Sequence, residues 1–134
     1  MLLDTHAWVW LVGDDPQLNR AARHAISIAV AQDGLFLSPI SLWEITLKSS
    51  RGNLELDRPV RSWIPRAIEL TGIHLVPITA EIACACAELP AEFHGDPADR
   101  LIAATARVEG MTLITHDRNM LALAKKGYFH AIAT

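Results

Sequence analysis

The chain has 134 residues, of which 51% are hydrophobic and 20% are charged, and its formal net charge is −3. This length suits one domain, predicted to span residues 1–134, and the hydrophobic fraction is sufficient to build a core. The negative charge argues against a protein that coats nucleic acid through a broad basic face. No apolar run reaches the roughly 18 residues that span a bilayer, and no basic segment precedes one at the start. We therefore expect a cytoplasmic protein with no membrane association.

Short apolar runs alternate with longer helical patterns along the whole chain. Strands are predicted at residues 1–3, 35–37, 73–76, 111–115 and 128–132, and helices at residues 17–31, 42–50, 60–70, 79–88, 97–109 and 118–126. The clearest boundaries belong to the fifth helix, which Asp96-Pro97 opens and Gly110 ends. Alternating strands and helices predict an α/β fold: a three-layer α/β/α sandwich around a central, mainly parallel sheet. Ligands of such sheets bind beyond the carboxyl ends of the strands.

Four carboxylates fall at strand ends or near helix starts. Asp4 ends the first strand and Asp117 follows a later one, while Glu44 and Asp99 are predicted in the first turns of two helices. In a parallel sheet, strand carboxyl ends and the helices that follow them share one edge, so connectivity directs Asp4, Glu44 and Asp117 to that edge. Asp99 joins them if its helix has the same orientation.

Helix capping is an alternative role for each of these acids taken singly. Ser41-x-x-Glu44 has the form of a capping box, Asp96-x-x-Asp99 resembles one, and Asp117 is placed to cap the next helix. An acid at a helix N-terminus is stabilised by only ~0.3–1 kcal/mol. Capping does not require the four acids to converge, and convergence raises their pKa values by repulsion and burial. A divalent cation would offset that repulsion.

The chemistry of the donors restricts the identity of such a cation. Ligands that are all oxygen suit Mg²⁺ or Mn²⁺ rather than Zn²⁺ or copper. The sequence also contains no HExxH or CxxC pattern of the kind that holds zinc.

Four motifs carry a resemblance to a known family, and together they extend over nearly the whole chain. They are Leu3-Asp4-Thr5-His6, Ser38-Pro39-Ile40-Ser41-Leu42-Trp43-Glu44-Ile45, Asp96-Pro97-Ala98-Asp99-Arg100-Leu101-Ile102-Ala103-Ala104-Thr105-Ala106 and Thr115-His116-Asp117. In this order they resemble a PIN domain. The short length and the Asp-Pro-x-Asp-Arg signature are similar in particular to the VapC toxins of bacterial toxin–antitoxin pairs.

The resemblance implies a Mg²⁺- or Mn²⁺-dependent endoribonuclease that an antitoxin protein blocks, and it also implies a homodimer. Cleavage by water would leave a 5′-phosphate and a 3′-hydroxyl. The residues that match the family's acidic quartet are Asp4, Glu44, Asp99 and Asp117. The residues at supporting polar positions are Thr5, Ser41 and Thr115. Asp96 is a fourth supporting position, which either holds water on the metal or only caps the helix.

In the mechanism that we predict, Asp4, Asp99 and Asp117 hold the metal directly or through water. Glu44 binds a second ion or orients the attacking water. The ion lowers the pKa of water and stabilises charge on the scissile phosphate.

Scattered cations would have to supply the contacts with RNA. Glu44, Lys48 and Arg51 are spaced to share one helical stripe, so both cations are candidates for phosphate binding, with a surface Glu–Lys pair as the alternative. Arg100 is expected either to pair with an acid or to face the substrate.

Several histidines and tryptophans leave structural and functional alternatives open. His6 and His116 adjoin metal-site positions and have either a structural role or contact with substrate; His24, His74, His94 and His130 belong to no motif. Residues 6–12 are apolar almost all round. Together with Trp8, Trp10, Trp43 and Trp63 they form either ordinary core or a surface for a second subunit or an antitoxin helix.

Cys84 and Cys86 are expected to be small buried thiols, because residues two apart on a helix point in nearly opposite directions and cannot share a disulfide or metal.

Three rival functions fit the sequence less well. A haloacid-dehalogenase-type phosphatase needs a second Asp two residues after the first, where this chain has His6. A DNA nuclease with the same quartet would carry extra helices to grip a junction. A non-catalytic binding module is disfavoured by the intact quartet. The identity of the RNA, the number of metal ions and the identity of the antitoxin remain open at this level.

Overall fold

The structure is a computed structural model that describes residues 1–93 and 95–134, in which one or two helices follow each of the first four of five strands. His94 lies outside the described residues. In chain order the elements are β1 (Leu2–Leu3), α1 (Thr5–Val12), α2 (Arg20–Ala31), β2 (Phe36–Leu37), α3 (Pro39–Ser50), α4 (Val60–Thr71), β3 (His74–Leu75), α5 (Ala80–Ala87), α6 (Pro97–Glu109), β4 (Leu113–Thr115), α7 (Arg118–Lys125) and β5 (Ala131–Ala133).

The five strands form one parallel sheet in the order β3-β2-β1-β4-β5. From β1 the chain builds outward to β2 and β3, and it then crosses to the other side of β1 to add β4 and β5. The order therefore reverses between β1 and β4, which creates the crevice where open α/β sheets bind their ligands. Leu3 is in register with Ile114 across this junction, so the residues that follow both strands emerge side by side.

Two hydrophobic clusters cover the two faces of the sheet, because successive side chains of a strand point to opposite faces. Leu3 packs on one face in a cluster that includes residues from α1, α2 and α4. Leu2 packs on the other face in a cluster with residues from α6 and α7. The predicted three-layer α/β/α sandwich with a parallel sheet is confirmed.

The structure corrects several predicted boundaries. Residues 5–12 form α1, which the sequence analysis did not assign, because this helix follows β1 with a single capping residue, Asp4, between them. The helix predicted from residue 42 begins at Pro39, since Ser38 is its N-cap and proline suits the first helical position. The first predicted helix begins at Arg20, where Asn19 rather than Pro16 provides the start.

The prediction that both cysteines are buried is wrong for Cys84, which is exposed, whereas Cys86 is half-buried. Helix α5 packs one face, with Ile82 and Ala85, against the protein, and Cys84 lies outside that face. Burial raises the pKa of the Cys86 thiol. In the described part of the chain, no helix has the length and apolar character needed to cross a membrane.

Candidate active site

Asp4 and Asp117 are joined through one threonine at the junction of β1 and β4. Asp4 is 4% exposed; its Oδ1 accepts a hydrogen bond from the Ala7 amide at 2.7 Å, and its Oδ2 accepts one from the Thr115 hydroxyl. The Thr115 oxygen in turn accepts a hydrogen bond from the Asp117 amide at 3.0 Å. Thr115 thus fixes the geometry of one acid and of the loop that carries another.

Asp4 and Asp117 also cap the helices that follow them. The Asp117 Oδ1 accepts a hydrogen bond from the Met120 amide at 2.8 Å at the start of α7, as the Asp4 Oδ1 does at the start of α1. Capping uses one carboxylate oxygen of each residue. Asp4 and Asp117 can therefore cap a helix and also take part in the pocket, so the two roles do not exclude each other.

Glu44 reaches the same region from α3, but not as a capping residue. Because α3 begins at Pro39, Glu44 lies in the second helical turn, and the predicted first-turn position is wrong. The capping-box alternative is also excluded, since Ser38 caps the helix and the buried Ser41 oxygen accepts a hydrogen bond from the Thr5 hydroxyl at 2.9 Å. That bond ties α3 to α1. Glu44 is 8% exposed, and helix capping does not explain the burial of its charge.

Asp96 and Asp99 come from the start of α6. Asp96 is exposed and is the N-cap, with its Oδ1 accepting a hydrogen bond from the Asp99 amide at 2.8 Å, so the predicted capping role is confirmed. Asp99 lies in the first turn of α6 and is half-buried. The orientation of α6 directs this acid to the same sheet edge as the other three.

These side chains surround one pocket of about 170 Å³. All four acids of the predicted quartet line it, together with Thr5 and Asp96. Its lining among the described residues is Asp4, Thr5, His6, Glu44, Lys48, Asp96, Asp99, His116 and Asp117. Thr115 and Ser41 support this lining from behind through their hydrogen bonds.

The electrostatics of the pocket are concentrated on Asp99. Burial is the largest cause of a pKa raised to about 7 for this carboxyl, and neighbouring negative charges add to it. Those charges belong to Asp96, Asp117 and Glu44. Without a cation, the pocket therefore holds Asp99 partly protonated near neutral pH.

The donors fit a hard cation by their chemistry. Within residues 1–93 and 95–134, no group of three or more His, Cys, Asp or Glu side chains is placed so that all of them could hold one metal ion. Mg²⁺ does not require such a set, because it keeps several waters and is commonly bound through one or two carboxylates. A pocket lined by several carboxylates, in which burial and then neighbouring negative charges raise the pKa of Asp99, suits that mode of binding.

The three predicted substrate-binding cations have different surroundings. Lys48 lines the pocket, where its Nζ lies 3.1 Å from Glu44 Oε2. Arg51 is exposed at the end of α3. Arg100 donates a hydrogen bond to the Phe93 carbonyl at 2.7 Å and lies over the Phe93 ring. Among the described residues, Arg100 is therefore outside the pocket lining, and its contact with the substrate stays a prediction.

The sequence offered no partner for His6 or His116, and the structure supplies partners for both. The His116 Nδ1 lies 3.7 Å from Asp4 Oδ2, and that carboxylate raises the pKa of the ring. Burial lowers the pKa of His6. The two rings meet edge to face at 4.8 Å, and both contact the Trp10 indole. The spacing of His6 and Trp10, four residues apart on one helix, was the only sequence signal for this cluster.

The remaining aromatic and histidine positions divide between core and surface. Trp8 is buried and packs edge to face on Trp63 at 5.1 Å, so the core alternative is confirmed for both. Trp43 is 54% exposed. His74, which the sequence assigned to no motif, lies 2.6 Å from an Asp33 oxygen at the surface.

Comparison with known proteins assigns the chain to a family. The family described as the PIN domain matches residues 1–126, and the chain belongs to that family. It is similar to Ribonuclease VapC22 of Mycobacterium tuberculosis, with 38% identity over 120 residues that cover 90% of this chain and 88% of that protein.

Solved structures agree with this assignment. VapBC2 from Rickettsia felis, bound to a DNA fragment from its promoter, matches with a TM-score of 0.71 and 18% identity, covering 98% of this chain and 96% of that one. DNA-bound VapBC from Salmonella typhimurium matches with a TM-score of 0.69 and 16% identity over the same shares of the two chains. At these identities the likeness shows the fold. The resemblance to VapC-like PIN domains on which the sequence analysis relied is confirmed.

Proposed function

We propose that this chain is a Mg²⁺- or Mn²⁺-dependent endoribonuclease, the toxin of a VapBC-type toxin–antitoxin pair, and that it acts at the acidic pocket. One observation carries the proposal: four carboxylates, one from α3 and three from the starts of α1, α6 and α7, converge at the sheet's switch point. Burial there, and then the neighbouring negative charges, raise the pKa of Asp99 to about 7. Such convergence lowers the stability of the protein without a cation. A cation-dependent activity would explain why the four carboxylates are placed together despite this cost.

The carboxylates have distinct roles in this proposal. Asp4, Asp99 and Asp117 hold the metal directly or through water, and Glu44 binds a second ion or orients the attacking water. When bound, the ion would supply a Lewis acid that lowers the pKa of water and stabilises negative charge on the phosphate. Asp4 enters this role pre-oriented, because two hydrogen bonds fix its carboxylate before any ligand arrives. Thr5, Ser41, Asp96 and Thr115 hold the acids in place.

Lys48 has the position needed for a first contact with RNA. It is the one Lys or Arg among the described residues that line the pocket, and its partner Glu44 is mostly buried while its own side chain is 33% exposed. A phosphate entering the pocket meets repulsion from the acids, and a lysine at the rim reduces it. Arg51, one turn further along α3, extends the positive charge outward.

The partners that we propose are an RNA substrate, a cognate antitoxin and a second copy of the chain, in the cytoplasm. The antitoxin is supported by the two VapBC structural relatives and by 38% identity to a protein named as a VapC ribonuclease. Exposed Trp43 on α3 is our candidate for the antitoxin-facing surface.

Cleavage of a mixed RNA pool tests the enzymatic proposal. The purified chain, free of antitoxin, is incubated with Mg²⁺, Mn²⁺ or EDTA, beside the double variant Asp4→Asn/Asp99→Asn. The matched control is Asp57→Asn, which removes an exposed acid outside the pocket lining. We expect cutting with metal only, lost in the double variant and retained in the control.

Two results would contradict the proposal. One is RNA cleavage that persists in EDTA or in the double variant. The other is cleavage of single-stranded or duplex DNA in parallel reactions while RNA remains intact, which would favour a DNA nuclease.

A further inference from the structure

Three aromatic rings form a cluster at the edge of the acidic pocket. The proposed chemistry gives this cluster no role. His6 and His116 line the pocket, and the Trp10 ring lies next to both, with its centre 5.9 Å from that of His6 and 4.9 Å from that of His116. We call this set, His6, Trp10 and His116, the aromatic ledge. It begins at the pocket and extends away from it along α1, since His6 and Trp10 are one helical turn apart.

The rings of the ledge are only partly committed to the protein. The His116 side chain is 42% exposed, and His6 and Trp10 are both half-buried. In the part of the chain that the structure describes, the side chains of His6 and Trp10 have ring contacts but no hydrogen-bond partner. Trp10 packs at the margin of one hydrophobic cluster rather than inside it. A purely structural aromatic would be expected to bury more of its surface.

The negative charge of the pocket favours a contact with RNA that does not depend on attraction between charges. The lining holds Asp4, Glu44, Asp96, Asp99 and Asp117, against Lys48 as its one Lys or Arg, and the chain as a whole carries −3. Phosphate contacts alone therefore give this protein little hold on RNA. A base stacked on an aromatic ring is bound without any attraction between charges, and RNA-binding proteins read single-stranded RNA in this way.

We propose that the aromatic ledge stacks the RNA base next to the scissile phosphate, with Trp10 as its main contributor, so that the ledge helps to select which bond is cut. The proposal rests on the ribonuclease function proposed above. Because the ledge starts at pocket-lining residues, a base lying on it belongs to a nucleotide adjacent to the one whose phosphate enters the pocket. Stacking tolerates any base but favours purines, which have the larger surface.

The test compares matched RNA oligonucleotides around the cleavage site found in the RNA pool. Each oligonucleotide carries either the normal base or an abasic nucleotide on one side of the cut bond. For the wild-type protein we expect kcat/KM to fall roughly 5- to 150-fold when the stacked base is removed, the range of one lost base–aromatic stack. Removal of the base on the other side should have a smaller effect.

Protein variants connect that loss to the ledge. Trp10→Leu keeps an apolar side chain but lacks an aromatic ring, so the difference between normal and abasic substrates should largely disappear. Trp10→Tyr should restore it in part. Tyr128→Ala is the control: it removes a half-buried aromatic that precedes β5, and Tyr128 lies outside the pocket lining. It should keep the wild-type discrimination.

The outcomes separate this inference from the proposed function. No metal-dependent RNA cleavage by the wild type would overturn the ribonuclease proposal. Normal cleavage with equal rates on normal and abasic substrates would overturn only the ledge. Full discrimination retained by Trp10→Leu would also overturn it, and if that variant additionally resists neutralisation by antitoxin, the ledge is a protein-binding surface instead. Should Trp10→Leu not fold, Trp10→Tyr decides in its place: a discrimination between normal and abasic substrates that is as large as in the wild type would overturn the ledge, and a smaller one would support it.

Discussion

Asp99→Asn should stabilise the protein in the absence of metal, although it removes one of the acids that we propose to hold the metal. The pKa of Asp99 is raised to about 7, chiefly by burial and then by neighbouring carboxylates, whereas an unfolded aspartate titrates near 3.9. Between roughly pH 4 and 7 the folded state therefore binds more protons than the unfolded state. The free energy of unfolding must fall as the pH rises through this window, and above it the full destabilisation persists.

The size of this effect follows from the shift. About three pKa units correspond to an upper limit of about 4 kcal/mol, but Asp99 is only half-buried and solvent screening reduces it to about 1–2 kcal/mol. The helix dipole opposes the gain, since an acid in the first turn of α6 contributes ~0.3–1 kcal/mol that asparagine loses. The cost of holding the Asp99 charge in this buried, acidic surrounding is larger than the loss of the helix-dipole contribution. The net effect of Asp99→Asn near pH 8 in EDTA is therefore stabilising.

Urea unfolding followed by circular dichroism measures this at pH 4, 6 and 8 in EDTA. The variant's advantage should be largest near pH 8 and small near pH 4, and Mg²⁺ should raise the stability of the wild type more than that of the variant. Glu81→Gln is the matched control, because Glu81 is an exposed acid in the first turn of α5, outside the pocket. It should destabilise slightly. A variant that is less stable than the wild type near pH 8, or an advantage that does not change with pH, would refute the reasoning.

Three further substitutions address other parts of the site. Thr115→Val removes the hydroxyl that donates to the buried Asp4 carboxylate, so we expect a loss of about 1–3 kcal/mol in urea unfolding and a larger proportional loss of cleavage; unchanged activity would contradict the positioning role. Lys48→Met should raise KM for RNA several-fold with less than about 1 kcal/mol of lost stability, since its ion pair is partly exposed; a change in kcat alone would argue against phosphate contact. Trp43→Ser should weaken antitoxin binding in calorimetry without lowering the melting temperature, and unchanged affinity would exclude Trp43 from that surface.

The order of elements and the family could be predicted from the sequence because both depend on local pattern. Helix periodicity, the Asp96-Pro97 start and the Gly110 stop are short-range signals, and α6 has the predicted bounds from Pro97 to Glu109. Helix α1 was missed because it is apolar on nearly every side and follows a two-residue strand, so its sequence has no clear helical stripe. The start of α3 was misplaced because two serines, Ser38 and Ser41, both have the chemistry of a cap.

The sequence by itself determined which residues we propose to carry the chemistry: Asp4, Glu44, Asp99 and Asp117 are recognisable by type, order and motif. Only the tertiary structure decided how they act on one another. The register of β1 with β4 places Thr115 against Asp4, the orientation of α6 brings in Asp99, and the ring contacts of Trp10 with His116 join residues 106 positions apart in the chain. Such relations depend on through-space distance and burial, and neither is encoded in the local periodicity from which a single sequence is interpreted.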